Sequence, residues 1–153
     1  WWKFRLTRKS DGKKFILPAF YLHDFNDEGK IEGLKIKLAS RCGMSPDLSF
    51  AINERALLHI DNAYYLPNIE VKNFLCKTNT SSSTAFRGFG GNQGMMAIEN
   101  IIDHVARFLK KDPSEIRRIN FYGNKQRNTT HYGMKINDNV IQEIFGNLIK
   151  KSN

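Results

Sequence analysis

The sequence predicts an α+β fold, with antiparallel strands first, then strand and helices mixed, and the helices packed on one side of the sheet. Three observations carry this. Residues 1–44 are strand-like and punctuated by turn signals. Residues 45–153 hold several segments of helical period and one returning strand. No internal repeat or low-complexity stretch breaks that order. The 153 residues therefore read as one unit: strand-rich over 1–44, then helix, strand, a glycine loop and further helices over 45–153.

The elements follow in order. Residues 2–8 are extended and basic. Ser10-Asp11-Gly12 reads as a turn, because Asp-Gly supplies the positive φ of a tight turn. Phe15 to Phe25 is aromatic and aliphatic and is predicted as one strand. Asn26-Asp27-Glu28-Gly29 is a second turn. Ile31, Leu34, Ile36 and Leu38 then show the alternation of a half-buried strand. The first forty residues so predict an antiparallel meander. Ser45-Pro46-Asp47 predicts a helix start, with Ser45 as cap, Pro46 at the first position and Asp47 facing the positive end of the dipole. Leu48, Ile52, Ala56 and Leu58 carry that helix to about Asn62. Tyr64 to Thr78 returns to strand, interrupted by Pro67-Asn68. Residues 78–94 read as loop. Met95, Ile98, Ile102, Val105 and Leu109 then fall on one helical stripe. Asp112 and Pro113 open a short helix, 124–137 is polar loop, and Val140, Ile144 and Leu148 mark a last helix.

Hydrophobic residues make up 41% of the chain, enough to build a packed core. No apolar run approaches the roughly 18 residues of a membrane helix. The chain opens Trp1-Trp2-Lys3-Phe4-Arg5, without a signal-peptide pattern and without an initiator Met. The formal charge is +9. It divides as +5 over residues 1–14, −2 over 15–106 and +6 over 107–153. A nucleic-acid binder more often interleaves basic residues with exposed aromatics on one element. A solvated surface, or a face meant for another part of a larger protein, fits this distribution better, and a basic nucleic-acid-binding module stays as an alternative. Cys42 and Cys76 form no C-x-x-C and read as buried hydrophobes. The four histidines lack zinc-site spacing, so no metal ligands are assigned. The expected setting is cytoplasmic, with no membrane and no nucleic-acid partner.

The stretch Thr84-Ala85-Phe86-Arg87-Gly88-Phe89-Gly90-Gly91-Asn92-Gln93-Gly94 is the most informative. Its glycines let a backbone approach a ligand closely, and the helix after it offers free N–H groups to an anion or oxo ligand. It fails the dinucleotide fingerprint, because Gln93 stands where the third glycine belongs, and it lacks the Gly-Lys-Ser/Thr ending of a P-loop. A structural turn is the competing reading. Arg55 is either a solvated helical arginine or a guanidinium that binds a heterocycle oxygen and stabilises developing negative charge. Phe86 and Phe89 are either core residues or rings that meet a flat substrate.

Longer motifs narrow these choices. R-C-G-M-S-P-D-L-S (41–49), E-R-A-L-L-H-I-D-N-A-Y-Y-L-P-N (54–68), K-T-N-T (77–80), T-A-F-R-G-F-G-G-N-Q-G-M (84–95) and D-P-S-E-I-R-R-I-N-F-Y-G (112–123) together closely resemble the xanthine dehydrogenases of the molybdenum hydroxylase family. The likeness is to the large, molybdenum-cofactor-binding subunit of the bacterial two-subunit type. It is strong over about 29–145 and weaker over 1–28.

The resemblance implies a fragment of one molybdenum-cofactor-binding domain. The parent would hydroxylate hypoxanthine and xanthine at a molybdenum–pterin centre, with water as oxygen source. It implies that the backbone of Phe86, Arg87, Gly88, Phe89, Gly90 and Gly91 approaches the cofactor, and that Phe89 lies flat on the substrate ring. It gives Arg55 both a substrate-binding and a catalytic role, and this arginine favours purines over aldehydes. The family's second substrate-orienting Glu would precede this segment, and its catalytic base would follow it. The 2Fe-2S and FAD groups would sit in other domains or a small subunit. The expected partners are a purine, that small subunit and the rest of the large one. The isolated chain is expected to bind no cofactor and to be inactive. Asn92 stands where the family usually has Pro, which predicts a slightly looser helix start. Another molybdenum hydroxylase of N-heterocycles or aldehydes is the nearest alternative.

Overall fold

A computed structural model describes residues 4–8, 14–17 and 21–152. Among these, the strands are β1 (Phe4–Arg8), β2 (Lys14–Leu17), β3 (Tyr21–Phe25), β4 (Ile31–Gly43) and β5 (Ile69–Lys77). They form one sheet in the order β2-β1-β3-β4-β5. The helices are α1 (Ser49–Leu58), α2 (Gly91–Leu109), α3 (Pro113–Asn120) and α4 (Ile141–Ser152).

The α+β class holds, but the sheet is mixed. The β1–β2 and β3–β4 pairs are antiparallel, whereas β1–β3 and β4–β5 are parallel. The expected meander therefore gives way to a different order, because β1 pairs with both β2 and β3. The predicted Phe15–Phe25 strand is two strands, and Pro18, which has no N–H for a ladder, lies in the sequence between them. The Ser10-Asp11-Gly12 turn lies outside the described residues. Parallel pairing of β4 with β5 needs a crossover, and α1 is part of it.

The Asn26–Gly29 turn forms as expected, closed by Asn26 N–H to Lys30 O at 3.1 Å. Just before it, at the end of β3, the register against β4 shifts between Asp24 and Phe25. That irregularity moves the buried set from Ile31 to Leu34 and Ile36. These side chains meet Ile98, Ile101, Ile102 and Val105 of α2 to form the core. The α2 stripe is thus centred differently from the sequence reading: Ile101 is fully buried and Met95 is exposed. α1 lies on the same face, since its buried Asn53 side chain bonds Ser40 of β4 and the Phe74 carbonyl of β5.

α1 starts later than Ser45-Pro46-Asp47 predicts. Asp47 has φ +42, which no helix tolerates, and no side chain caps the helix at Leu48. Ser45 instead bonds the hydroxyl of Ser82, with 2.6 Å between the oxygens. Tyr64 lies outside β5 and forms an isolated bridge to Phe121. Cys42 is buried as expected, whereas Cys76 is exposed, because β5 is the outer strand.

α3 begins as predicted, with Asp112 accepting from Ser114 N–H at 2.7 Å and Pro113 in the first turn. Its last residue, Asn120, is fully buried and ties the helix to the sheet. The Asn120 side chain donates to Gly29 O and accepts from Ile31 N–H, both at 2.9 Å. On α4 the core contacts come from Ile141 and Phe145, while Val140, Ile144 and Leu148 are exposed. The predicted apolar stripe of that helix therefore faces outward.

Candidate functional site

The loop before α2 is held at both ends. Its serine-rich half is fixed to the end of β4: Met44 N–H donates to Thr80 O at 3.0 Å, and Ser83 N–H to Cys42 O at 2.9 Å. Ser49, at the start of α1, adds a hydroxyl bond to Ser83 O at 3.3 Å. Its glycine half forms a tight double turn. Phe89 N–H donates to Phe86 O at 2.9 Å, and Gly91 N–H to Gly88 O at 3.0 Å. Three consecutive residues, Gly88, Phe89 and Gly90, have positive φ. Phe89 at φ +47 is the costly member, since a bulky side chain rarely adopts that conformation.

The turn is pressed onto α1. A Cβ at Gly90 would overlap the Ile52 carbonyl oxygen and lie 2.9 Å from its carbon and 3.1 Å from Ala56 N. One turn on, a Cβ at Gly94 would lie 3.0 Å from the His59 carbonyl carbon. The two glycines so let the start of α2 sit directly on the backbone of α1. This close approach brings Arg55 in: its Nε is 3.8 Å from the position a Gly91 Cβ would take. The His59 ring closes the same side at 3.6 Å.

α2 starts within the glycine run, at Gly91 rather than after Gly94. Asn92 supplies a tie of its own, with Nδ2 3.4 Å from Arg87 O and its side chain folded over Gly88. The helix start expected to be looser is thereby bonded back to the turn.

The predicted residues fall into two groups. Phe86, Arg87 and Gly88 lie on the exposed tip, with Phe86 86% exposed and so outside the core. Gly90 and Gly91 are buried, Phe89 is half-buried, and Arg55 is exposed beside them. Among the described residues no carboxylate pairs with Arg55.

The donor set suits a group held through oxo or anionic atoms. The amides of Arg87 and Gly88 take no acceptor among the described residues. The N-terminus of α2 adds partial positive charge directly behind them. No group of three or more His, Cys, Asp or Glu comes together among the described residues. What the chain offers such a group is therefore backbone donors at the turn, with one guanidinium nearby.

A further cluster beneath α1 has no sequence signal. The Tyr122 hydroxyl donates to Asp61 Oδ2 at 2.6 Å, and His131 Nδ1 lies 3.4 Å from the same oxygen. Burial and the bond to Asp61 push the Tyr122 phenol well above its ordinary range. His131 Nε2 is 3.2 Å from the Leu57 carbonyl of α1. These side chains are distant in sequence, so spacing alone does not join them.

Fold and site together define an α+β domain with a glycine-rich backbone turn at a helix N-terminus, beside a helical arginine. Residues 16–121 match the molybdopterin cofactor-binding domain, and the chain belongs to that family. Xanthine dehydrogenase of Calliphora vicina is 47% identical over 129 residues, 84% of this chain and 9% of that protein. Xanthine dehydrogenase/oxidase of Gallus gallus is 41% identical over 133 residues, 87% of this chain and 10% of that protein. The chain spans about a tenth of the length of these relatives. Among solved structures, the aldehyde oxidoreductase of Desulfovibrio gigas has a TM-score of 0.74 at 25% identity, covering 84% of this chain and 14% of that one. No helix among the described residues is long and apolar enough to cross a membrane.

Proposed function

We propose that this chain is a segment of a xanthine dehydrogenase and carries part of its purine-hydroxylating site. The observation that supports this most is the juxtaposition of Arg55 with the Phe86–Gly91 turn at the start of α2. When bound there, the molybdenum–pterin group supplies two-electron redox chemistry, with oxygen derived from water. The turn contributes backbone donors at Arg87 and Gly88. Phe89, half-buried on the turn, is the ring this reading places against a flat heterocycle. Arg55, without a carboxylate partner among the described residues, is available to hold a purine oxygen and to stabilise negative charge that builds on the ring. The proton-accepting base, the 2Fe-2S and FAD groups and the remaining substrate contacts belong to other domains or a small subunit.

The test uses the full-length holoenzyme carrying this segment. Arg55→Met is expected to lower kcat/KM for xanthine by about 100-fold or more, the scale of a lost charge-stabilising donor. Oxidation of an aromatic aldehyde, which presents no purine oxygen, stays nearly unchanged. The likeness to an aldehyde oxidoreductase supports a second reading, a hydroxylase of aldehydes or other N-heterocycles. Equal losses on both substrates support that reading and count against the purine one. The isolated 153-residue chain is expected to be inactive, since it has no assigned base to take the substrate-side proton. Xanthine turnover by that chain alone contradicts this.

A further inference from the structure

We propose that His131 and Asp61 are positioning residues that set the placement of Arg55 through the last turn of α1. The proposal rests on the assignment of Arg55 to the substrate.

Arg55 has no carboxylate partner among the described residues to hold its side chain, so its placement depends on the helix that carries it. That helix lacks a side-chain cap at its N-terminus. At the other end, Leu57 lies in the same turn as Arg55. The Leu57 carbonyl can only accept, so His131 Nε2, at 3.2 Å, is the donor. The other ring nitrogen faces Asp61 Oδ2 at 3.4 Å, without the alignment of a hydrogen bond. Asp61 is fixed in turn by the Tyr122 hydroxyl at 2.6 Å. The imidazole and carboxylate side chains are only 6% and 7% exposed.

Burying a carboxylate and an imidazole opposes folding, and a well-packed apolar pair fills such a space at less cost. What the polar pair adds is direction. A ring bonded to the Leu57 carbonyl, with Asp61 packed 3.4 Å behind its other nitrogen, limits where that helix carbonyl can sit. This end of α1 presents Arg55 and the ring of His59, the residue that follows the helix, to the same side of Gly91. A shift of about 1 Å in a positioning contact can cost about 100-fold in rate. Loss of this pin therefore acts on the substrate that Arg55 holds, and spares one that it does not hold.

The experiment compares xanthine with benzaldehyde in the full-length holoenzyme, at matched molybdenum content. His131→Asn places an amide near the δ nitrogen and cannot reach Leu57. It is expected to lower kcat/KM for xanthine about 10-fold or more while benzaldehyde changes less than about 2-fold, the scale of a modest misplacement. His131→Gln places an amide near the ε nitrogen and is expected to recover most of the xanthine activity. In the Arg55→Met background, His131→Asn is expected to cause no further xanthine loss. If His131→Asn does not assemble, Asp61→Asn keeps the Tyr122 contact and tests the same selective loss. Equal loss on both substrates, or additive loss in the double variant, overturns the proposal while leaving the Arg55 assignment standing. An Arg55→Met enzyme with unchanged xanthine activity overturns both.

Discussion

Replacing Gly90 by Ala tests whether the α1–α2 contact sets the turn. Two effects add. Gly90 has φ +95, and a side chain at positive φ costs about 1–2 kcal/mol. Its Cβ would also overlap the Ile52 carbonyl oxygen and crowd Ala56 N at 3.1 Å. Overpacking of that kind costs about 1–3 kcal/mol. The sum is a loss of about 2–5 kcal/mol. Gly133→Ala isolates the first effect, because Gly133 has φ +89 with nothing within 4 Å of a new Cβ. Its expected cost is about 1–2 kcal/mol. Gly146, inside α4 with open space around it, gives the opposite sign: Gly146→Ala should stabilise by about 0.5–1 kcal/mol. Urea unfolding of the three variants, followed by far-UV circular dichroism, gives the order directly. The reasoning fails if Gly90→Ala costs no more than Gly133→Ala, since the steric contact with α1 would then be relieved without loss.

Other expectations follow from the buried polar groups. Asn120→Ala removes the partners of Ile31 N–H and Gly29 O and is expected to cost about 2–4 kcal/mol by urea unfolding. Arg117 bonds Glu99 and Asp103 across α2 and α3, and Arg117→Met should cost about 1–2 kcal/mol in the same assay. The phenols of Tyr64 and Tyr122 are both raised, by burial first and then by bonds to Glu99 and Asp61. Above pH of about 10 the unfolded chain releases these protons while the folded chain keeps them. Stability is therefore full below that pH and falls as pH rises past it. Tyr122→Phe should make the alkaline fall in the urea midpoint shallower than in the parent chain, and an unchanged slope would contradict this.

Much of the local structure was legible because it rests on short-range chemistry. Asp112-Pro113 marks the start of α3, and Asn26–Gly29 forms its turn. The glycine loop was legible for the same reason: its spacing says where a backbone can come close. Ser45-Pro46-Asp47 misled, because a serine cap competes with other partners and Ser82 was one. The β1–β3 pairing was not legible, since alternation fixes which face a residue takes but not which strand lies alongside. The outward stripe on α4 shows the same limit: periodicity finds an apolar face without saying what it meets. At the site, Arg55 and Phe86–Gly91 came from motifs. His131 and Asp61 did not, because a single histidine and a single aspartate 70 positions apart form no pattern until the folded chain brings them together.

The Asn120 link also bears on the order in which this chain assembles. Its two bonds to the β3–β4 turn span 89 and 91 residues. Closing a loop of that length instead of one half as long adds only about 0.6 kcal/mol of entropy. The equilibrium penalty is small, but the encounter is slow and non-local compared with the β4–α1–β5 crossover. A contact made late lies beyond the rate-limiting barrier for folding. Shortening Asn120 should therefore leave refolding nearly as fast as before and show itself in faster unfolding.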